Sequence, residues 1–436
     1  MVMKVLVISV RGLHAGFLGC YGNEWIETPT LDSLASEGVV FDQHYAEQPE
    51  AAAARRSWRT GRYQLPSMPK GAEPDLLEIL RAAGITTHLV VDGSRTLPPG
   101  FEQGWDAVTV IKPKPSWDQV PGLKHREVKN TSSETDEPLE ATLSAVVQVL
   151  DGLFAKSNWL VWVDLATLVP PWNVPDEYSA PYFEKEPPSD HEVDAEEESA
   201  VPLQPIFDPR TGPIPVNNDE VHLRLQYSYA SAVTFLDAGL EALIEEIGNL
   251  GLGDEIVFML TSDHGVPLGE HGIVGSYRPW LHDELIHVPL LLSLPNSKND
   301  IGRRISALTQ SCDIMPTLLN LFGQAIPTGV HGHSLLPLAR GQASNVRPLA
   351  VSGLEANGGL EFALRIQQWA YLLPMRIPEG DPPRSPQLYA KPEDRWEVNN
   401  LIQHHLELAD EFDKILRDFI NNRKFSDASQ KREEST

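Results

Sequence analysis

Residues 4–10 read Lys-Val-Leu-Val-Ile-Ser-Val (KVLVISV), a run of branched apolar side chains closed by Gly12. Polar residues do not alternate with apolar ones, so both faces of the segment must be covered, as in an inner strand of a parallel sheet. Similar runs recur at THLVV (87–91), WLVWVDL (159–165), EIVFML (255–260) and VPLLLSL (288–294). Between them lie PDLLEILRAAG (74–84), LEATLSAVVQVLDGLF (139–154) and YASAVTFLDAGLEALIEEIG (229–248), with apolar residues three and four apart. Strands alternating with amphipathic helices predict an α/β fold, a mostly parallel central sheet flanked by helices.

Two regions break this rhythm. Residues 183–220 are rich in acid and proline, and 183–200 (FEKEPPSDHEVDAEEESA) hold eight carboxylates against one lysine. This reads as a long solvated loop rather than a cation site. Beyond about residue 345 the runs LAVSGL, EFALRIQQ and WAYLLPM predict a small antiparallel sheet, followed by one helix, LELADEFDKILRDFINN, and a frayed tail, SDASQKREEST. The expected division is a domain at 1–344, including the acidic loop, and a small α+β unit at 345–436.

Of 436 residues, 35 are Lys or Arg and 61 are Asp or Glu, a formal charge of −26. That balance disfavours nucleic acid or an anionic membrane as partner. Cys20 and Cys312 are the two cysteines, in no metal-like spacing, so no disulfide framework is expected. The apolar run at 4–10 is too short for a membrane span or a signal-peptide core, and a cytoplasmic protein is expected.

Several segments, in order, resemble the sulfatase family of the alkaline-phosphatase superfamily: VLVISVRGLHAGFLGCYGNEWIETPTLDSLASEGVVFDQHYAEQP, TGRY (60–63), TSDHGVPLGEHG (261–272), HDELIHVPLLL (282–292), CDIMPTLLNLFGQAIP (312–327), HGHSLLPL (331–338) and QLYAKPEDRWEVNNL. The resemblance implies a sulfate ester hydrolase in which a signature C-x-P-S-R-x-x-L-x-T-G-R supplies a formylglycine nucleophile and a divalent cation, usually calcium, helps hold the sulfate. Here the signature reads AAAARRSWRTGR. Ala51 falls on the cysteine, Ala53 and Ala54 on proline and serine, Arg55 on the arginine and Trp58 on the leucine. Alanine offers no atom to oxidise or deprotonate, and no Ser, Thr or Cys lies between Gln48 and Arg56.

The resemblance also implies two adjacent metal-binding aspartates after the first strand, where this chain has Arg11 and Gly12, and a histidine where it has Val169 in WVDLATLVPPWNVP. Asp263 and His264 alone keep the family's metal-ligand types, too few for calcium, so no cofactor is expected. The expectation is a sulfatase-like protein not competent for sulfate ester hydrolysis, able to bind an anionic small molecule or a protein partner. Arg55 and Arg278 are the candidate anion ligands, and Arg11 is expected to pair with Asp263 in the cation's place. The alternative is a sulfuric or phosphoric ester hydrolase with a rearranged site built on Asp263, His264 and other histidines. His271, His282 and His287 are read as structural, with a different metal site as the other reading. Trp58, Trp172 and Trp280 are candidates to crowd the former pocket or to fill core.

Overall fold

The computed structural model describes residues 2–66, 68, 73–112, 137–184, 203–214, 218–276, 278–295 and 302–422. Most of the acidic stretch (185–202 and 215–217) and the tail at 423–436 lie outside the described residues.

Among the described residues, fourteen strands follow one another. The first five are β1 (Met3–Val10), β2 (Val39–Tyr45), β3 (Thr86–Asp92), β4 (Ala107–Ile111) and β5 (Asn158–Leu165). After the two-residue β6 (Gly212–Pro213) come β7 (Ile256–Ser262), the short β8 (Ile273–Val274), β9 (Leu290–Ser293) and β10 (Arg303–Gln310). The series ends with β11 (Ala350–Ala356), β12 (Gly359–Ile366), β13 (Trp369–Arg376) and β14 (Gln387–Ala390). Eight of them form one sheet in the order β10-β2-β9-β7-β1-β5-β3-β4. All its pairings are parallel except those of β9, which runs antiparallel to β2 and β7.

Every residue of β1 is buried, as its unbroken apolar run demands. Leu6, Ile8 and Val10 point to one core, where α1 (Pro29–Glu37) joins two later helices, while Val5 and Val7 point to the core under α2 (Ala51–Thr60) and α3 (Leu76–Ala82). The later helices on the first face are α4 (Pro138–Leu153) and, after the short α5 (Asp176–Phe183), the long α6, which starts at Asp219 rather than at Tyr229 and runs to Asn249. β2, β4 and β10 were not anticipated. In β2 (VVFDQHY) polar residues interrupt the apolar run, and the sheet accommodates them because Asp42 and Gln43 are only half-buried.

The C-terminal strands form a separate antiparallel sheet, β11-β12-β13-β14. One face covers Tyr45, Leu308 and the segment Leu281–Ile286, and the other carries a C-terminal helix, Leu406–Asn422, through Phe412, Leu416 and Phe419. Cys20 and Cys312 are both unpaired thiols.

Two buried histidines tie this fold to pH. Burial pushes His14 down to about 4 and His44 down to about 3. The unfolded chain binds these protons near pH 6.5 while the folded chain refuses them, so stability is complete above about 6.5 and falls as pH drops towards the folded values. A loss of roughly 2 kcal/mol per histidine is expected between pH 7 and pH 5. Urea midpoints that stay level across that interval would contradict it.

Candidate functional site

Open α/β sheets present their ligand crevice beyond the carboxyl ends of the strands. In this sheet β5, β1 and β7 lie side by side. Ser9 of β1 sits opposite Asp164 of β5, and Val10 opposite Ser262, the last residue of β7. The chain therefore delivers Arg11 and Gly12, Asp164, and Asp263 with His264 to one place. Gly12 turns there with φ +74°, and a Cβ on it would meet Val266 Cγ2 at 3.0 Å. Its amide donates to Asp263 Oδ1 at 3.2 Å.

Above these strand ends lies α2. Glu50 precedes it in extended conformation without a side-chain capping bond, four alanines propagate it, and Gly61 ends it in the left-handed conformation. Its Arg55, only 2% exposed, reaches down between the two carboxylates. Nη1 donates to Asp263 Oδ2 at 2.8 Å and to the Ala51 carbonyl at 2.8 Å, while Nη2 donates to Asp164 Oδ1. Arg11 clamps the far side of Asp164 with Nη2 at 3.0 Å and Nε at 3.3 Å from Oδ2, and its Nη1 donates to the Thr96 carbonyl at 2.8 Å. Ser9 Oγ donates to Asp164 Oδ1 at 2.9 Å and itself accepts from Trp162 Nε1 at 2.9 Å. Asp263 Oδ1 also accepts the His264 amide at 2.9 Å.

Both aspartates are fully buried, and the order Arg11, Asp164, Arg55, Asp263 alternates sign and sums to zero. Burial favours the neutral form of Arg55, but Asp164 and Asp263 outweigh it and hold the guanidinium charged. Burial likewise opposes ionisation of Asp263. His264 and Arg55 prevail and keep its carboxyl below the usual carboxylate value. Each oxygen of the two carboxylates already accepts at least one hydrogen bond.

The expected pair between Arg11 and Asp263 is not formed. Arg11 leaves β1 towards its neighbour β5 and is spent on Asp164, and the arginine on Asp263 comes from α2 instead. Arg55, a candidate anion ligand, has both terminal nitrogens engaged by the chain's own carboxylates. Arg278 is not brought here. It pairs with Asp381 and lies over Trp280 at 4.9 Å. Ala51 begins α2, and Val169 sits half-buried after β5, its carbonyl accepting from Arg95 Nε at 3.3 Å.

Trp58 is wholly buried beneath Arg55, 5.3 Å from Trp162, and Trp172 packs on Tyr229 at 5.6 Å in the opposite core. Trp280 stands beside His282 at 5.0 Å. Of the three histidines, His271 and His282 stack at 3.9 Å, whereas His287 donates from Nε2 to the Asp42 carbonyl at 2.8 Å. Asp164 is the residue of this cluster that motif reading did not single out. The signal was an acid inside the apolar run WLVWVDL, since a buried carboxylate must find a cation.

The sulfatase family model matches residues 4–324. The chain belongs to the sulfatase family. An ulvan-active sulfatase of Formosa agariphila is 26% identical over 94% of this chain and 82% of its own length, and human iduronate 2-sulfatase 26% identical over 74% and 70%. Among solved structures, a phosphonate monoester hydrolase of Agrobacterium radiobacter superposes with a TM-score of 0.72 at 21% identity, covering 95% of this sulfatase-family chain and 94% of that one. A putative sulfatase from Bacteroides fragilis gives 0.71 at 19% identity, covering 96% and 95%. These likenesses establish the shared α/β architecture. Among the described residues no helix is long and apolar enough to cross a membrane.

Proposed function

We propose that this sulfatase-family protein does not hydrolyse sulfate esters and works by binding, with an anionic small molecule or a protein as ligand. The observation that carries this reading is the Arg55 bridge between Asp164 and Asp263. Calcium takes six to eight oxygen ligands at 2.3–2.6 Å. Here the carboxylate oxygens are filled by Arg55, Arg11, Ser9, Gly12 and His264, with a guanidinium standing between the two acids. That arrangement does not fit a calcium ion. A further cation brought beside Arg11 and Arg55 would also meet their repulsion, while the carboxylates that could offset it are already paired.

The missing nucleophile points the same way. Residue 51 opens α2 as alanine, and the side chains of Ala52, Ala53 and Ala54 offer no oxygen or sulfur either. Attack on sulfur needs a charged or activated oxygen, and a counter-charge on the sulfuryl oxygens while the alcohol leaves. The chain's own charges are consumed within the Arg11, Asp164, Arg55 and Asp263 network. Anion binding, if centred on this cluster, would have to break a pair, so a ligand at its rim is favoured over one inside it. A cytoplasmic setting and a boundary between units near residue 345 belong to the same reading.

The test is direct. Purified protein given calcium is expected to show no turnover of an aryl sulfate or an aryl phosphate, and no calcium after dialysis. Ala51→Cys, which returns the family's residue, is expected to remain inactive because the guanidinium still stands between the acids. Calcium-dependent turnover by either protein would overturn the reading.

A further inference from the structure

Away from the Arg55 network, a second group of polar side chains is left incompletely satisfied. It gathers where three segments meet: the turn carrying His271, the short helix Asp283–Ile286 with His282 just before it, and the loop holding Glu397. Gly265 allows the helix to come this close, since a Cβ there would meet the Glu284 carbonyl oxygen at 2.1 Å. One ligand-type atom from each of His271, His282 and Glu284 lies within 4.8 Å of the other two.

The hydrogen bonds define which nitrogens are free. His282 is fully buried, and its Nδ1 lies 2.8 Å from Glu397 Oε2. A carboxylate held by Arg365 at 2.9 Å and Lys391 at 3.1 Å accepts, so Nδ1 carries the hydrogen. Nε2 then keeps its lone pair, and it has no hydrogen-bond partner. A histidine anchored at one nitrogen by a carboxylate, with the other bare, is the arrangement that metal ligands share. A buried lone pair without a donor is otherwise a cost without return.

His271 faces acceptors at both nitrogens, Glu284 Oε1 at 2.7 Å from Nδ1 and the Glu397 carbonyl at 3.2 Å from Nε2. In the metal-free chain a proton must therefore lie between Nδ1 and Glu284. A dication can take that proton's place, with Nε2–H still donating to the Glu397 carbonyl. Glu397 would then orient both imidazoles, one through its side chain and one through its main chain.

We propose that His271, His282 and Glu284 form a zinc site, distinct from the family's calcium position and independent of the reading given above. Imidazole nitrogens with one carboxylate suit Zn²⁺, whereas Ca²⁺ and Mg²⁺ select oxygen. Tetrahedral ligands at 2.0–2.1 Å stand about 3.3 Å apart, so the His271 and His282 rings, stacked at 3.9 Å, must tilt apart to aim both lone pairs at one ion. A water or the second Glu284 oxygen completes four-coordination. On binding, Zn²⁺ enters and the proton between His271 and Glu284 leaves to solvent. His271, whose side chain is 17% exposed, lies on the way in.

The full chain, stripped with a chelator and titrated with Zn²⁺ alone in a calorimeter, is expected to bind one ion per molecule and to ignore Ca²⁺ and Mg²⁺. Glu397→Gln is expected to weaken binding on the order of 10–100-fold, and His282→Ala and Glu284→Gln by more. His404→Ala, at an exposed histidine, should leave binding unchanged. Glu284→Gln keeps the shape of the side chain and serves if His282→Ala does not fold. Absence of zinc binding, or equal affinity in the wild type and Glu284→Gln, would overturn the proposal. Either result leaves the Arg55 argument standing, because that concerns calcium, ester turnover and other residues.

Discussion

Replacing Arg55 by alanine is expected to destabilise the fold by about 3–5 kcal/mol, the usual effect of removing one member of a buried ion network. The reason lies in what remains. Asp164 retains Arg11 and Ser9, but Asp263 keeps only two backbone amides and neighbouring His264, while still fully buried. The local charge changes from zero to −1 in a place that water does not reach. Arg55→Lys should recover little, since an ammonium is a point charge and cannot span Asp164 and Asp263 as a planar fork does. Urea unfolding with a fixed slope measures the difference. A midpoint for Arg55→Ala within about 0.5 kcal/mol of the wild type would mean that the bridge is dispensable.

Trp58→Ala should cost a similar amount, about 3–5 kcal/mol, by a different mechanism. Trp58 has no exposed surface and packs with Trp162, Phe101 and the face of Arg55 at 5.4 Å. Truncation opens a cavity that a rigid sheet on one side and α2 on the other cannot close. Trp58→Leu, which restores the residue type of the family signature, leaves a smaller void and should cost less. Arg55 and Trp58 touch, so their double alanine variant should depart from additivity by 0.5 kcal/mol or more. Strict additivity, or a Trp58→Ala variant as stable as the wild type, would show that the tryptophan only fills space the protein can surrender.

The two arguments differ in how much of each could be read beforehand. Trp58 was legible as a large apolar side chain that would either crowd the former pocket or fill core, and the fold places it in core. Arg55 could be placed on the signature arginine, but its role could not, because the same residue would be an anion ligand if Asp164 and Asp263 were otherwise occupied. β1, β3, β5 and β7 were legible as predominantly apolar runs, whereas β2 was hidden by three successive polar residues, Asp42, Gln43 and His44. The pairing of His282 with Glu397, 115 residues apart, left no local trace.

By itself the sequence determined what is chemically present: strands that must be covered on both faces, an alanine where the family signature has its nucleophile, and acids inside apolar runs that demand partners. It could not determine which partner each acid takes. Arg11 goes to Asp164 and Arg55 to Asp263 because strand order and the seating of α2 set the distances. Burial is a local property that periodicity records, while charge pairing depends on separation in space, and only the folded chain fixes that.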